Sequence, residues 1–187
     1  MTKLLRSLIV LTVFLVACGG QAPSQPASAP AAAAPGGPTQ QPYATLAQVM
    51  RAIPFGASNI IFDTQTNDPE APKKEGAGGD SASARFASVY KGWQVVEHNA
   101  LALSETANLL LIPGRMCENG KPVPLDREDF RKFIQGLADA GKAAYKAAQS
   151  KNQDQMVEVS DTVATACSNC HEVYRDREPR CTPLDAK

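Results

Sequence analysis

The chain has 187 residues, with 19 basic and 19 acidic side chains and a formal net charge of zero, so no excess of positive charge points to nucleic acid as a partner. Aromatic residues make up 6% and charged residues 20%, a balance that excludes collagen, a coiled-coil rod and a multi-span membrane protein. The five cysteines, at 18, 117, 167, 170 and 181, are too few for a disulfide scaffold, and two histidines, His98 and His171, limit any metal chemistry.

Residues 1–17 place Lys3 and Arg6 ahead of an apolar run too short to span a bilayer as a stable helix, which reads as a signal peptide. The segment ends in Leu15-Val16-Ala17-Cys18 and resembles the lipobox of bacterial lipoproteins, whose cysteine is acylated and becomes the new N-terminus. The alternative is an ordinary signal with a chance cysteine. Two or three acyl chains at about 0.8 kcal/mol per buried methylene anchor a protein stably, where one is marginal. Gly19 follows where Asp would mark retention at the inner membrane. By that resemblance Cys18 is the lipidation site and the protein is expected at the outer membrane, facing the periplasm or in the outer leaflet. Removing residues 1–17 leaves 17 basic against 19 acidic side chains, a mature charge of −2. Residues 18–42 follow as a lipidated cysteine and a tether. Positions 19–42 hold seven Ala, six Pro, four Gly and four Gln with no charge, so they cannot build a core. Such a linker reaches between about 27 Å as a coil and about 75 Å extended.

From residue 43 onward the hydrophobic pattern is helical, and no sustained period of two interrupts it. The first segment, about residues 44–62, puts Leu46, Met50, Ile53, Ala57 and Ile60 on one face. Pro54 should kink it by depriving the Met50 carbonyl of its donor. Residues 63–82 are polar and rich in Pro, Gly and Lys, which predicts a long surface loop. In the second segment Phe86, Val89, Trp93, Val96, Ala100, Leu103, Ala107 and Leu110 recur at 3,4 spacing and stop before Pro113-Gly114. The third starts from an expected Asp126 cap, with Asp129 in its first turn, and runs through Phe130, Phe133, Ile134, Leu137, Gly141, Ala144 and Ala148. The fourth follows an Asn152/Gln155 capping pair with Met156, Val159, Val163, Cys167, Cys170 and Tyr174. One long and two shorter connections between four helices predict an all-α, up-down-up-down antiparallel four-helix bundle over residues 43–187.

Cys167-Ser-Asn-Cys170-His171 is a C-x-x-C-H run, the pattern of covalent haem c attachment. Positions i, i+3 and i+4 share a helix face, so two thiols can reach the vinyl groups of one porphyrin while the imidazole points at its iron. A thioredoxin-like dithiol would sit near a βαβ pattern, which is missing here, and would leave the histidine unexplained. A vicinal disulfide or a zinc site is the other alternative, zinc drawing its further ligands from Cys117, Cys181 and the distant His98.

A C-x-x-C-H near the end of the last helix of a four-helix bundle, continued as Glu172-Val173-Tyr174-Arg175, resembles the cytochrome c prime family, the class II c-type cytochromes. The resemblance spans residues 43–177, and the position of the motif separates it from class I cytochromes, which carry it near the N-terminus. It implies His171 as the proximal iron ligand and Arg175 near the haem edge. The 63–82 insertion, the extra Cys pair and the lipid anchor depart from the family.

Family members either leave the sixth iron position empty or fill it with a methionine from the first helix, which makes Met50 the deciding residue. Met50 lies about two turns into its helix and His171 about one turn from the end of its own, nearly one layer on adjacent helices of such a bundle. Plain core packing is the alternative for Met50. Met156 is about 22 Å along the helix from His171, Met116 is a reserve candidate, and His98 falls at an outward position of its helix. Cys117, in the loop after the second helix, and Cys181, past the fourth, fall at the same end of the bundle, which predicts a disulfide in an oxidising compartment. Closing a loop of that size contributes about 4 kcal/mol in the chain-entropy model.

The expected function is a membrane-anchored monohaem one-electron carrier between periplasmic redox partners, not an enzyme. The alternative is a haem protein that binds or senses nitric oxide or carbon monoxide. A peroxidase-like role would want a distal acid-base group, for which Arg51 and Arg115 are the nearest candidates. Family resemblance leaves a homodimer open, with the 63–82 insertion able to block that contact. Glu158 and Asp161 read as a solvated face.

Overall fold

The computed structural model describes residues 40–71 and 91–182. The signal segment, Cys18, most of the tether, Phe86, Val89 and positions 72–82 of the expected loop lie outside the described residues. Within them the protein is all-α, with no strand and one isolated bridge between Met116 and Pro122. No described helix is long and apolar enough to cross a membrane.

The first rod is two helices. α1, Leu46–Ala52, opens with a capping box in which Thr45 Oγ1 accepts from the Gln48 N–H and Gln48 Oε1 accepts from the Thr45 N–H, satisfying two end donors reciprocally. α2, Pro54–Asp63, begins with the proline at N1, where a missing N–H costs nothing. Ile53 between them leaves helical geometry at φ −122°. The expected kink is therefore a full break three residues after Met50. The buried face of α2 also runs through Ile61, which is fully buried, where the pattern favoured Ile60.

α3, Trp93–Leu110, α4, Glu128–Ser150, and α5, Gln153–Tyr174, complete the bundle. The six described positions of the α3 seam, from Trp93 to Leu110, are all buried. The α4 cap differs from expectation: Arg127, not Asp126, is the N-cap residue and makes no side-chain cap bond. Glu128 and Asp129 supply negative charge in the first turn instead, which the helix dipole favours. Asn152 caps α5 by accepting from the Gln155 N–H at 3.0 Å. Gln155 does not reach back to complete a box; its Oε1 accepts from Ser150 Oγ.

α3 packs along α4 and α2, and α4 along α5, whereas α2 meets α5 only lightly. The connections show which ends meet. The Leu46 N–H donates to the Met116 carbonyl, so the start of α1 lies against the loop after α3. Tyr174 Oη donates to Asp129, joining the end of α5 to the start of α4. At the other end, Gln153 Nε2 donates to the Thr64 carbonyl, joining the start of α5 to the end of α2. Arg115, only 4% exposed, donates to the Leu109 carbonyl from Nε and Nη2 and to the Ala44 carbonyl from Nη1. A buried guanidinium thus satisfies the end of α3 and ties it to α1, which accounts for a charge at that depth.

Candidate functional site

Light contact between the α1–α2 rod and α5 leaves a cavity of about 640 Å³, within the range of small-molecule and cofactor sites. Met50, Cys167, Cys170, His171 and Arg175 all line it. α1 and α2 contribute Leu46, Met50, Pro54, Phe55 and Phe62, and α4 contributes Phe130, Phe133, Ile134 and Leu137. The wall is mainly apolar; the two thiols and the imidazole sit on the last two turns of α5, and further polar side chains come from Arg51, Ser58, Asn59, Glu118 and Asn119.

Those turns present the motif as helical spacing requires. Cys170 is buried and Cys167 half-buried, and both thiols are free. Burial raises the Cys167 thiol and pushes Cys170 up to about 12, the Cys167 sulfur and the Asp129 carboxylate adding to the latter. Both groups are thus thiols at neutral pH. The half-buried His171 imidazole is held below its ordinary value, chiefly by burial and then by the Arg175 charge, which favours the neutral ring that a metal ligand needs. Arg175 spends its guanidinium on Asp176, with Nε–Oδ1 at 2.6 Å and Nη2–Oδ2 at 3.2 Å.

A polar latch fixes this end of α5. Tyr174 Oη donates to Asp129 Oδ1 at 2.8 Å and accepts from Arg127 Nε at 2.8 Å, while Arg127 also reaches both carboxylate oxygens. The Tyr174 ring meets Phe130 edge-on at 5.1 Å and Phe133 at 6.3 Å. Asp129 is pulled below the usual carboxylate value: burial alone would raise it, but the bonds from Arg127, Tyr174 and its neighbour's N–H outweigh that. The sequence pattern named Tyr174 and Asp129 only as helix positions, and nothing local marks them as partners.

Cys117 and Cys181 are joined as a disulfide with a Cα–Cα distance of 6.0 Å. That pairing removes the thiols a zinc site would have recruited. Cys181 also lines the cavity, together with Glu118 and Asn119 from the loop after α3. Met116 and Met156 are not among the lining residues, and Met156 is fully buried elsewhere in the core. His98 is exposed on α3, and Glu158 and Asp161 are exposed on α5. Arg51 pairs with Glu118 at the cavity rim, and Arg115 is committed to backbone carbonyls. Among the described residues no group of three His, Cys, Asp or Glu could by itself hold a metal ion. No protein-family model, curated protein or solved structure matches this chain.

Proposed function

We propose that the protein is a membrane-anchored monohaem c-type cytochrome, an up-down-up-down bundle that carries single electrons between periplasmic redox partners. One observation carries the reading: two free thiols and an imidazole at i, i+3 and i+4, and a thioether from another helix, line one largely apolar cavity. The donors fit the group. Cys167 and Cys170 would hold haem covalently through their sulfur atoms, and His171 and Met50 would offer its iron a nitrogen and a sulfur donor. Haem bound there supplies a one-electron couple at iron, and a methionine ligand favours the reduced form.

The remaining residues serve that role through exclusion and orientation. Phe62, Phe133, Ile134 and Leu137 line the cavity and would shield a bound haem from water, which limits reorganisation when charge changes. The Tyr174 latch orients the turn that bears His171, and burial keeps the imidazole unprotonated. Arg175, held by Asp176, offers positive charge at the rim. Cys18 as lipid anchor would keep the domain near a membrane, checked by the mass of the N-terminal peptide from the membrane fraction.

The visible spectrum of the matured protein tests the proposal. A covalent haem with a low-spin ferrous spectrum unmoved by carbon monoxide is expected, together with a methionine-to-iron charge-transfer band when ferric. A high-spin spectrum shifted by carbon monoxide would transfer the protein to gas binding, and absence of covalent haem would end the reading. Met50→Ala should lose low-spin character and lower the reduction potential; an unchanged spectrum removes Met50 from the site.

A further inference from the structure

The helix that carries Met50 is held in an unusual way. Among the described helices α1 packs extensively only along α2, its own continuation past the Ile53 break. Val49 is buried in the core, with Leu46 and Met50 packed against it, and polar links join α1 to one short stretch of the loop after α3. The Leu46 N–H donates to the Met116 carbonyl at 2.9 Å, Arg115 Nη1 donates to the Ala44 carbonyl at 2.6 Å, and the Arg51 guanidinium pairs with the Glu118 carboxylate. All three loop residues lie within two positions of Cys117.

Cys117 is in turn bonded to Cys181, and the segment bearing Cys181 is folded back onto the end of α5. The Cys181 N–H donates to the Tyr174 carbonyl at 2.6 Å, and Asn119 Nδ2 donates to the Arg180 carbonyl at 2.9 Å. A continuous path therefore runs from α1, through the loop and the disulfide, to the turn that bears His171. The two helices have little direct packing to do this job. Cys117 and Cys181 are 2% and 8% exposed, so little of the bridge is open to solution reductants.

We infer that the Cys117–Cys181 disulfide, together with the Arg51–Glu118 pair, is a positioning brace: it fixes the α1 wall of the cavity relative to the α5 wall and thereby keeps Met50 in place against diatomic gases. The inference rests on the haem reading above. Its logic is a population argument. A ligand that needs the Met50 wall to move binds in proportion to the fraction of molecules in which that wall is open. Links that hold α1 lower that fraction without touching the cofactor.

The test uses Cys117→Ser/Cys181→Ser and wild-type protein, both matured with haem, reduced at an electrode and titrated with carbon monoxide. Amide hydrogen exchange is followed in the same samples. The brace predicts an apparent carbon monoxide affinity raised by about tenfold or more. It also predicts faster exchange at residues 46–52 with little change at residues 93–110. Equal affinity and equal exchange at residues 46–52 in a folded variant would overturn it. If the double variant does not fold, Glu118→Ala keeps the disulfide and removes one link; it should move both readouts the same way by a smaller amount, and no movement refutes the brace. If wild-type protein carries no covalent haem, the haem reading fails, while the exchange at residues 46–52 still decides whether the brace exists.

Discussion

α4 passes through two environments. Its second half buries Ala138, Ala140, Gly141, Ala144, Ala147 and Ala148, and there α3 comes so near that a Cβ on Gly141 would lie 2.6 Å from the Ser104 backbone nitrogen. Ser104 Oγ donates across the gap to the Ala138 carbonyl at 3.1 Å. Its first half turns Phe130, Phe133, Ile134 and Leu137 to the cavity. Small side chains let backbones touch where the bundle is only a scaffold. Large ones surround space where the chemistry-bearing residues gather, so one helix makes a close backbone contact in one half and walls the cavity in the other.

The largest effect should come from adding one methyl group to the tight half. Gly141→Ala must push two backbones apart, an overpacking cost of up to about 3 kcal/mol that exceeds the helix-propensity gain of about 1 kcal/mol. A net destabilisation of about 2 kcal/mol is expected from the denaturant midpoint at unchanged slope. The same change at Gly136, where an added Cβ meets nothing within 4 Å, should instead stabilise by about 0.4–1 kcal/mol. Opposite signs for one substitution on one helix would establish the contrast; equal signs would break it.

How much of this could be read from the chain depended on the range of the interaction. The C-x-x-C-H face, the α3 seam and the Asn152 cap concern residues within a turn of one another, and periodicity exposes them. An interruption at Pro54 was legible for the same reason, though as a kink rather than a full break, as were the outward positions of His98, Glu158 and Asp161. Gly141 was recognised as a seam position but not as a contact, because the sequence does not say which backbone will cross it. Asp129 was read as a helix-start residue, yet its carboxylate is engaged with Tyr174, 45 residues away, and that engagement goes with a cap at Arg127. Arg115 was named only as a candidate distal acid-base group, and only the meeting of the end of α3 with the start of α1 gives its guanidinium three hydrogen bonds.

The open half is held by the Arg127–Asp129–Tyr174 latch, and the next two predictions probe it. Tyr174→Phe removes a hydroxyl bonded to two charged groups and should destabilise by about 1.5 kcal/mol, less than Gly141→Ala because Asp129 keeps Arg127. The latch also carries a pH signature. Asp129 has a folded value below the ordinary carboxylate value, so its contribution is present above about pH 4 and is lost as pH falls through the folded value. Wild type and Asp129→Asn should converge in stability under acid. On the alkaline side, the Tyr174 hydroxyl is pushed up to about 12, first by burial; its contribution is full below about pH 10 and disappears as pH rises through the folded value. A Tyr174→Phe protein should lack that alkaline loss, and finding it unchanged would remove Tyr174 as its source.

The smallest effect belongs to the far end of α5, away from both the cavity and the close contact. α4 ends at Lys151 in the left-handed conformation, φ 54°, and α5 starts at once from Asn152. The turn is short enough that capping must come from its own residues. Asn152→Ala removes the acceptor for the Gln155 N–H and should cost about 1 kcal/mol. It should leave the visible spectrum unaltered, because the capped turn lies at the opposite end of the helix from His171. A variant that lost both stability and spectrum would mean that the two ends of α5 are coupled more tightly than the packing implies. Loss of stability alone would place the determinants of the cavity in the last turns of α5 and its latch.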